Sequence, residues 1–375
     1  MDAGGRLTLW EPSLFEARRT ERDAFLSRRE RLAWRGLQVL FLAFGAAILL
    51  SLAFLPELGL DLLWNVLIPA APALLVLAPG LWRNVCPIAV TVLAPRTLGL
   101  SLEIRPSPRA RSSLRVLGFL LLLGIVPLRH ARLDLDAGAS FVVLLVLVGA
   151  GFMLGLFFDW KSAWCAGLCP VHPVEELYGD RPLYAPKNAH CRACALCVER
   201  CPDCIPTERP NHRRSLRLSS ALASFWMPAL FPGFIYGWFQ VPDYLPGEGL
   251  DLWSAIYLPP LGGAAGSLLL FTLCRRLLPE SRGALLRRTF AFLAVACYYW
   301  FRLPALFGFG PFPGDGMLLD LRGSLPPSFE WFLRLLTTSF FAWWMFRPGV
   351  RGRPWLRRPP VADEAAGRIP LSDAD

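Results

Sequence analysis

The sequence predicts an all-α integral membrane protein of about eight transmembrane helices, and three observations carry that prediction. Of the 375 residues, 54% are hydrophobic and only 18% are charged, against roughly 25% charged in an ordinary soluble domain. The apolar residues fall in blocks close to the ~20 residues that a helix needs to cross a bilayer. Arginines gather in alternate connections between those blocks, as positive-inside sorting requires. The mean hydropathy of +0.41 excludes disorder for most of the chain.

The eight blocks run over 36–55, 62–82, 114–128, 138–158, 218–239, 253–274, 290–309 and 329–346. The third is short enough to be re-entrant or interfacial. The fifth and sixth contain Pro228, Pro232, Pro259 and Pro260, which a membrane helix tolerates when neighbours satisfy the freed carbonyls. Arg18, Arg19, Arg22, Arg28, Arg29, Arg31 and Arg35 precede the first block, whereas residues 56–61 contain no Lys or Arg. Residues 161–216 are rich in arginine, and residues 241–252 again have none. The alternation puts both termini in the cytoplasm. It divides the chain into a cytoplasmic arm (1–34), four spans (35–160), a cytoplasmic cysteine-rich segment (161–216), four further spans (217–347) and a disordered cytoplasmic tail (348–375). The net charge of +10 fits anionic lipid beside the membrane; no groove-reading motif points to nucleic acid.

Eight of the ten cysteines carry the chemistry. Cys191, Cys194, Cys197 and Cys201 form C-x2-C-x2-C-x3-C-P, the run that wraps three thiolates around one iron–sulfur cube and sends the fourth to another. Cys204 adds a further C-P-x-C. A zinc ribbon places ~15–20 residues between its cysteine pairs; here six separate Cys194 from Cys201. A reducing cytoplasm argues against disulfides. Cys165 and Cys169 form C-x3-C-P directly after the fourth span, with both thiols expected one turn apart on one helical face. Cys86-Pro87 follows the second span in the same manner, with Trp82 standing where Cys165 stands, so spans one and two read as a degenerate repeat of spans three and four. Cys86 is either a lone buried thiol or the eighth metal ligand. Cys86, Cys165, Cys169, Cys191, Cys194, Cys197, Cys201 and Cys204 together suffice for two four-cysteine clusters. Cys274 and Cys297 read as packing residues.

With its ferredoxin run and C-x3-C-P pair, the stretch from Gly80 to Pro210 resembles the membrane polyferredoxin family with a four-iron binding domain. That family includes the membrane subunit of periplasmic nitrate reductase systems, the membrane regulator of nitrous-oxide reductase and the cytochrome oxidase accessory ferredoxins. This chain departs from it in two ways: its first Cys-Pro motif has one cysteine, and it has one ferredoxin run where relatives often have two. The resemblance implies a ferredoxin-like cytoplasmic loop, two [4Fe-4S] clusters, a bacterial inner-membrane location and a partner redox protein or respiratory-enzyme subunit, with quinone as a further candidate cofactor.

Three functions follow from these readings. The first is electron transfer between a quinol or cytoplasmic donor and a partner redox protein, with Lys161, Arg192 and Arg200 offsetting cluster charge. The second is an accessory role, in which the clusters reduce or assemble a cofactor for a respiratory enzyme. The third is a redox or iron sensor. Among the histidines, His172, His190 and His212 read as solvated loop residues, the first two with a hydrogen bond to cluster sulfur as the alternative. His130 reads as an interfacial polar residue that could border a quinone pocket. Arg302 and Arg334 are expected to snorkel. No C-x-x-C-H and no dinucleotide fingerprint occurs, which excludes covalent c-type haem and argues against a bound flavin or nicotinamide.

Overall fold

The structure, a computed structural model, describes residues 25–104, 106–158, 161–179, 181–190, 221–243, 249–347 and 355–357. Helix α1 (Arg28–Phe54) opens on a capping box: Ser27 accepts from the Glu30 amide and Glu30 accepts from the Ser27 amide, satisfying two orphan donors at once. It therefore starts eight residues earlier than the apolar block at 36. The second apolar stretch, α2, spans Pro56–Leu77 and widens to a π-helix over Asp61–Leu67. Its later part contains Pro69 and Pro72, which have no N–H to donate. There the Tyr299 hydroxyl inserts into the ladder, accepting from the Ala73 amide at 2.8 Å and donating to the Pro69 carbonyl at 2.7 Å.

Ala78 breaks the chain before Pro79, so Trp82 belongs to a separate short helix, α3 (Pro79–Val85), and not to the second span. Helix α4 (Pro87–Thr97) follows Cys86. Next come α5 (Pro108–Leu128), extended by a π turn over Arg129–Leu133, and α6 (Ala137–Phe157), whose N-cap Asp136 accepts from Ala139. A π turn at Trp164–Leu168 leads to α7 (His172–Tyr178). The C-terminal half holds α8 (Met227–Trp238), α9 (Gly249–Leu277), α10 (Gly283–Leu306) and α11 (Ser328–Phe346). Among the described residues there are no β-strands, only two isolated bridges.

Among the described residues, six helices are long and apolar enough to cross a membrane: Arg28–Phe54, Pro56–Leu77, Arg109–Leu133, Ala137–Phe157, Gly249–Leu277 and Glu280–Leu306. This is a multi-pass membrane architecture. Its outer faces carry apolar side chains such as Val39, Leu40 and Leu269, all more than 60% exposed, which only lipid or another apolar partner would cover. The third span, expected to be short, is a full 25-residue helix. The other two expected blocks differ from the six. Within 218–239 a π turn over Leu222–Trp226 precedes an α8 of only 12 residues. Helix α11 has 19 residues but carries an internal Glu330–Arg334 ion pair.

The main core joins α2, α5, α7, α8, α10 and α11 through residues such as Val76, Phe119, Tyr178, Phe234, Val295 and Trp344. A smaller core binds α1, α2 and α6 through Ile48, Leu52, Leu63 and Ala137. Cys297 packs against the first core, and Cys274 against Phe271 and Phe290. Helices α8 and α9 touch backbone to backbone: a Cβ on Gly233 would overlap the Gly263 carbonyl. Part of the expected disordered tail is firmly seated. Trp355 and Leu356 are 1% and 0% exposed, and a Cβ on Gly80 would overlap the Trp355 carbonyl.

Candidate functional site

Cys86 and Cys169 occupy equivalent backbone positions. Each closes one helical element and precedes a proline, with φ −53°, ψ 122° at Cys86 and φ −59°, ψ 120° at Cys169. The following proline excludes helical ψ at both. Each amide is held by a tryptophan carbonyl, Cys86 N–H to Trp82 at 2.8 Å and Cys169 N–H to Trp164 at 2.9 Å. The two Cys-Pro corners therefore repeat in geometry as well as in sequence.

The C-x3-C-P pair does not form the α-helical face expected of it. Ala166, Leu168 and Cys169 donate to the carbonyls of Lys161, Ala163 and Trp164, five residues back, so the turn is π and wider than an α turn. Helix α5 makes room for it at Gly118, where a Cβ would lie 2.8 Å from the carbonyl oxygens of Gly167 and Leu168. Arg115 of α5 also donates to the Ala166 carbonyl at 3.0 Å.

Cys165 and Cys86 both lie near enough to Cys169 for their charges to act on it. None of the five described cysteines is in a disulfide. Burial pushes the Cys169 thiol well up, with Glu175, Cys165 and Cys86 adding to the effect. Burial also raises Cys86, with the Lys161 ammonium opposing. These thiols are thus protonated at neutral pH unless a cation compensates. Among the described residues, no group of three or more His, Cys, Asp or Glu is arranged around a single metal ion. The donor set present here, three sulfurs from two Cys-Pro corners, suits a larger iron–sulfur cube completed by further cysteines. Cys191, Cys194, Cys197, Cys201 and Cys204 lie outside the described residues, as do Arg192, Arg200 and His212.

A buried ionic network flanks the thiols. His172 is 1% exposed, in contrast to the solvated residue expected. Its Nδ1 lies 3.2 Å from Glu175 Oε2 and its Nε2 lies 3.0 Å from Arg115 Nη2. Arg83 pairs with Glu175, and Arg115 pairs with Glu176 at 2.8 Å. Lys161, fully buried, donates to the Arg83 carbonyl at 3.0 Å. Arg83, Arg115 and Lys161 thus gather with Glu175 and Glu176 in one buried network. The spacing of His172 to Glu175 and Glu176, three and four residues, was the signal for this network in the sequence.

Asn84, two residues before Cys86, reaches the chain that leads into the ferredoxin run. Its Nδ2 donates to the Lys187 carbonyl at 3.0 Å and its Oδ1 accepts from the Ala189 amide at 3.1 Å. The Gln38 amide donates to the Asn84 carbonyl, tying α1 to the same point. On the other side, Asn188 N–H donates to the Arg357 carbonyl and Arg357 N–H to the Pro186 carbonyl. Trp355 donates to the Gly179 carbonyl at 2.8 Å and lies under the Arg83 guanidinium at 5.4 Å. Neither the Asn84 clamp nor the Trp355 strap leaves a pattern in the sequence.

At the other end of α5 lies a second buried polar cluster. Arg302, expected to snorkel, is 2% exposed and donates to the Trp64 carbonyl and Asn65 Oδ1, each at 2.6 Å. His130 is also buried, with Nδ1 2.6 Å from Asp243. Arg334, in contrast, lies against Trp300 and Trp331 and pairs with Glu330. Comparison with known proteins adds no family to this description: no family model, no curated protein and no solved structure matches the chain.

Proposed function

We propose that this chain is a bacterial inner-membrane electron-transfer protein that holds two [4Fe-4S] clusters at the cytoplasmic face. It passes electrons between a quinol or cytoplasmic donor and a partner redox protein. One observation carries the reading: Cys86 and Cys165 both lie near Cys169, and Asn84 binds the backbone two residues before the Cys191 run. Eight crossings, with α8 and α11 completing the six apolar helices, keep both termini and every cysteine motif on that face.

When bound, the clusters supply one-electron redox chemistry. The chain's residues do the rest. Cys86, Cys165 and Cys169 donate thiolates, joined by Cys191, Cys194, Cys197, Cys201 and Cys204. Arg83, Arg115 and Lys161 offset thiolate charge in a buried setting, which raises the potential. Trp164, 2% exposed, and Trp355 exclude water from the thiols and their network.

Iron and labile sulfide in anaerobically purified protein test the reading. The wild type holds about eight of each, as two cubes require. Cys86→Ala holds about half and loses one of two reducible paramagnetic signals. Stoichiometric zinc without sulfide overturns the iron–sulfur reading, and unchanged iron in Cys86→Ala overturns the role of Cys86.

A further inference from the structure

The cluster at the far end of α5 is independent of the thiol site. Arg115 and Arg129 are fourteen residues apart on one continuous helical stretch, roughly 21 Å at 1.5 Å per residue. Its central groups are two carboxyls, Asp134 and Asp243, which share the Arg129 guanidinium, Asp134 lying 3.5 Å from Nε and Asp243 2.9 Å from Nη2. Burial and a like charge on the same guanidinium both favour the protonated form of one of the two.

The surroundings fix where that proton belongs. Asp243 lies against two basic groups, accepting from Arg129 Nη2 at 2.9 Å and sitting 2.6 Å from His130 Nδ1. Its own amide donates to Asp315 at 2.7 Å. Asp134 meets the same guanidinium more loosely, at 3.5 Å from Arg129 Nε, and its side chain is nine-tenths buried. Its Oδ1 has no hydrogen-bond partner. Asp243 is thus the charged member and Asp134 the protonated one.

Asp134 also lines a cavity of about 60 Å³, together with Asp61, Asn65, Arg129 and the glycines Gly314 and Gly316. Roughly 10–15 Å³ of such volume holds one water, so a short water file fits. Gly316 adopts φ +58°, and a Cβ there would overlap the Arg302 guanidinium, so the loop closing the cavity is built tightly against the cation. Asp61 accepts from Asn65 at the cavity wall, and Tyr298 faces Arg302 from α10.

We propose that Asp134 is a proton-loading site, exchanging a proton through this cavity with the aqueous phase at the membrane face opposite the thiols. The ligand is the proton itself. The carboxyl takes it from cavity water when Asp243 is ionised and returns it to that water when the pH rises. Burial and the Asp243 charge push Asp134 up to about 8, which matches the geometry. Among the described residues no cation-holding group competes.

Infrared difference spectroscopy across pH 5–10 tests this on the full chain. A protonated carboxyl C=O band, present at low pH, disappears with a midpoint near 8 in the wild type. Asp134→Asn, which keeps the shape of the neutral acid, lacks that band. Asp243→Asn keeps the band but lowers its midpoint by at least one pH unit, a tenfold loss of proton affinity. Absence of a titrating band in the wild type, or its persistence in Asp134→Asn, overturns the proposal. A midpoint that moves with sodium or calcium concentration at fixed ionic strength overturns it too, because the occupant is then a metal cation.

Discussion

Replacing Asn84 with alanine tests how the cysteine-rich segment is held against the membrane domain. The side chain is fully buried and makes two hydrogen bonds, to the Lys187 carbonyl and from the Ala189 amide. Removing it orphans both backbone groups. An orphaned buried group costs about 1–3 kcal/mol. Lys187 and Ala189 are only half-buried, so water recovers part of this and the lower end applies, about 2 kcal/mol for the pair. At 1.4 kcal/mol per tenfold, local opening becomes roughly 30-fold more frequent. The assay is amide hydrogen exchange read by mass spectrometry in detergent. The peptide containing Ala189 exchanges roughly 30-fold faster, while peptides around Ile48 and Leu52, 2% exposed in the second core, are unchanged. Unaltered exchange at Ala189 refutes the clamp. Equal acceleration in both regions refutes its local character and makes Asn84 a determinant of the whole fold.

Two further perturbations follow from other elements. Folded Asp134 holds its proton to about pH 8, whereas the ordinary value is 3.8. Between those values the folded chain binds more protons than the unfolded one, so stability falls as the pH rises from about 4 to about 8. Asp243 is held down by Arg129 and His130 against the upward push of burial, and acts in the opposite sense only below pH 4. Melting temperatures across pH 4–9 therefore decline in the wild type, with a smaller decline in Asp134→Asn; a rise between pH 5 and 8 contradicts the assignment. Gly233→Val drives a side chain into the Gly263 carbonyl and costs at least the ~1–3 kcal/mol of overpacking. A thermal melt of the purified variant, with Gly262→Val at an open position of α9 as control, checks it: equal melting temperatures refute the close contact.

The apolar spans were legible because their signal is local. Length and hydropathy define a crossing without reference to any neighbour, and six stretches satisfy both. Residues 218–239 were harder to read, since a π turn and two prolines divide a stretch that composition treats as continuous. The parallel between Cys86-Pro87 and Cys169-Pro170 was also visible, because proline dictates the conformation of the residue before it. Burial of polar groups was not legible. His172 and Arg302 each looked like surface residues; beyond the nearby Glu175 and Glu176, His172 meets Arg115 57 positions away, and Arg302 meets Trp64 238 positions away. The tail read as disordered on its proline and charge content, yet Trp355 finds a seat between Gly80 and Gly179 that no local pattern announces.

The Trp355 strap imposes a chronology on biogenesis. Cys169 and Trp355 are 186 positions apart, so at about 5–20 residues per second roughly 10–40 s separate their synthesis. Through that interval the Gly80 and Gly179 surfaces are bare, and Arg83 and His172 face water where an indole will later lie. Docking of Trp355 then covers Arg83 and His172, so this later-made segment acts as a latch over a network whose walls were inserted first.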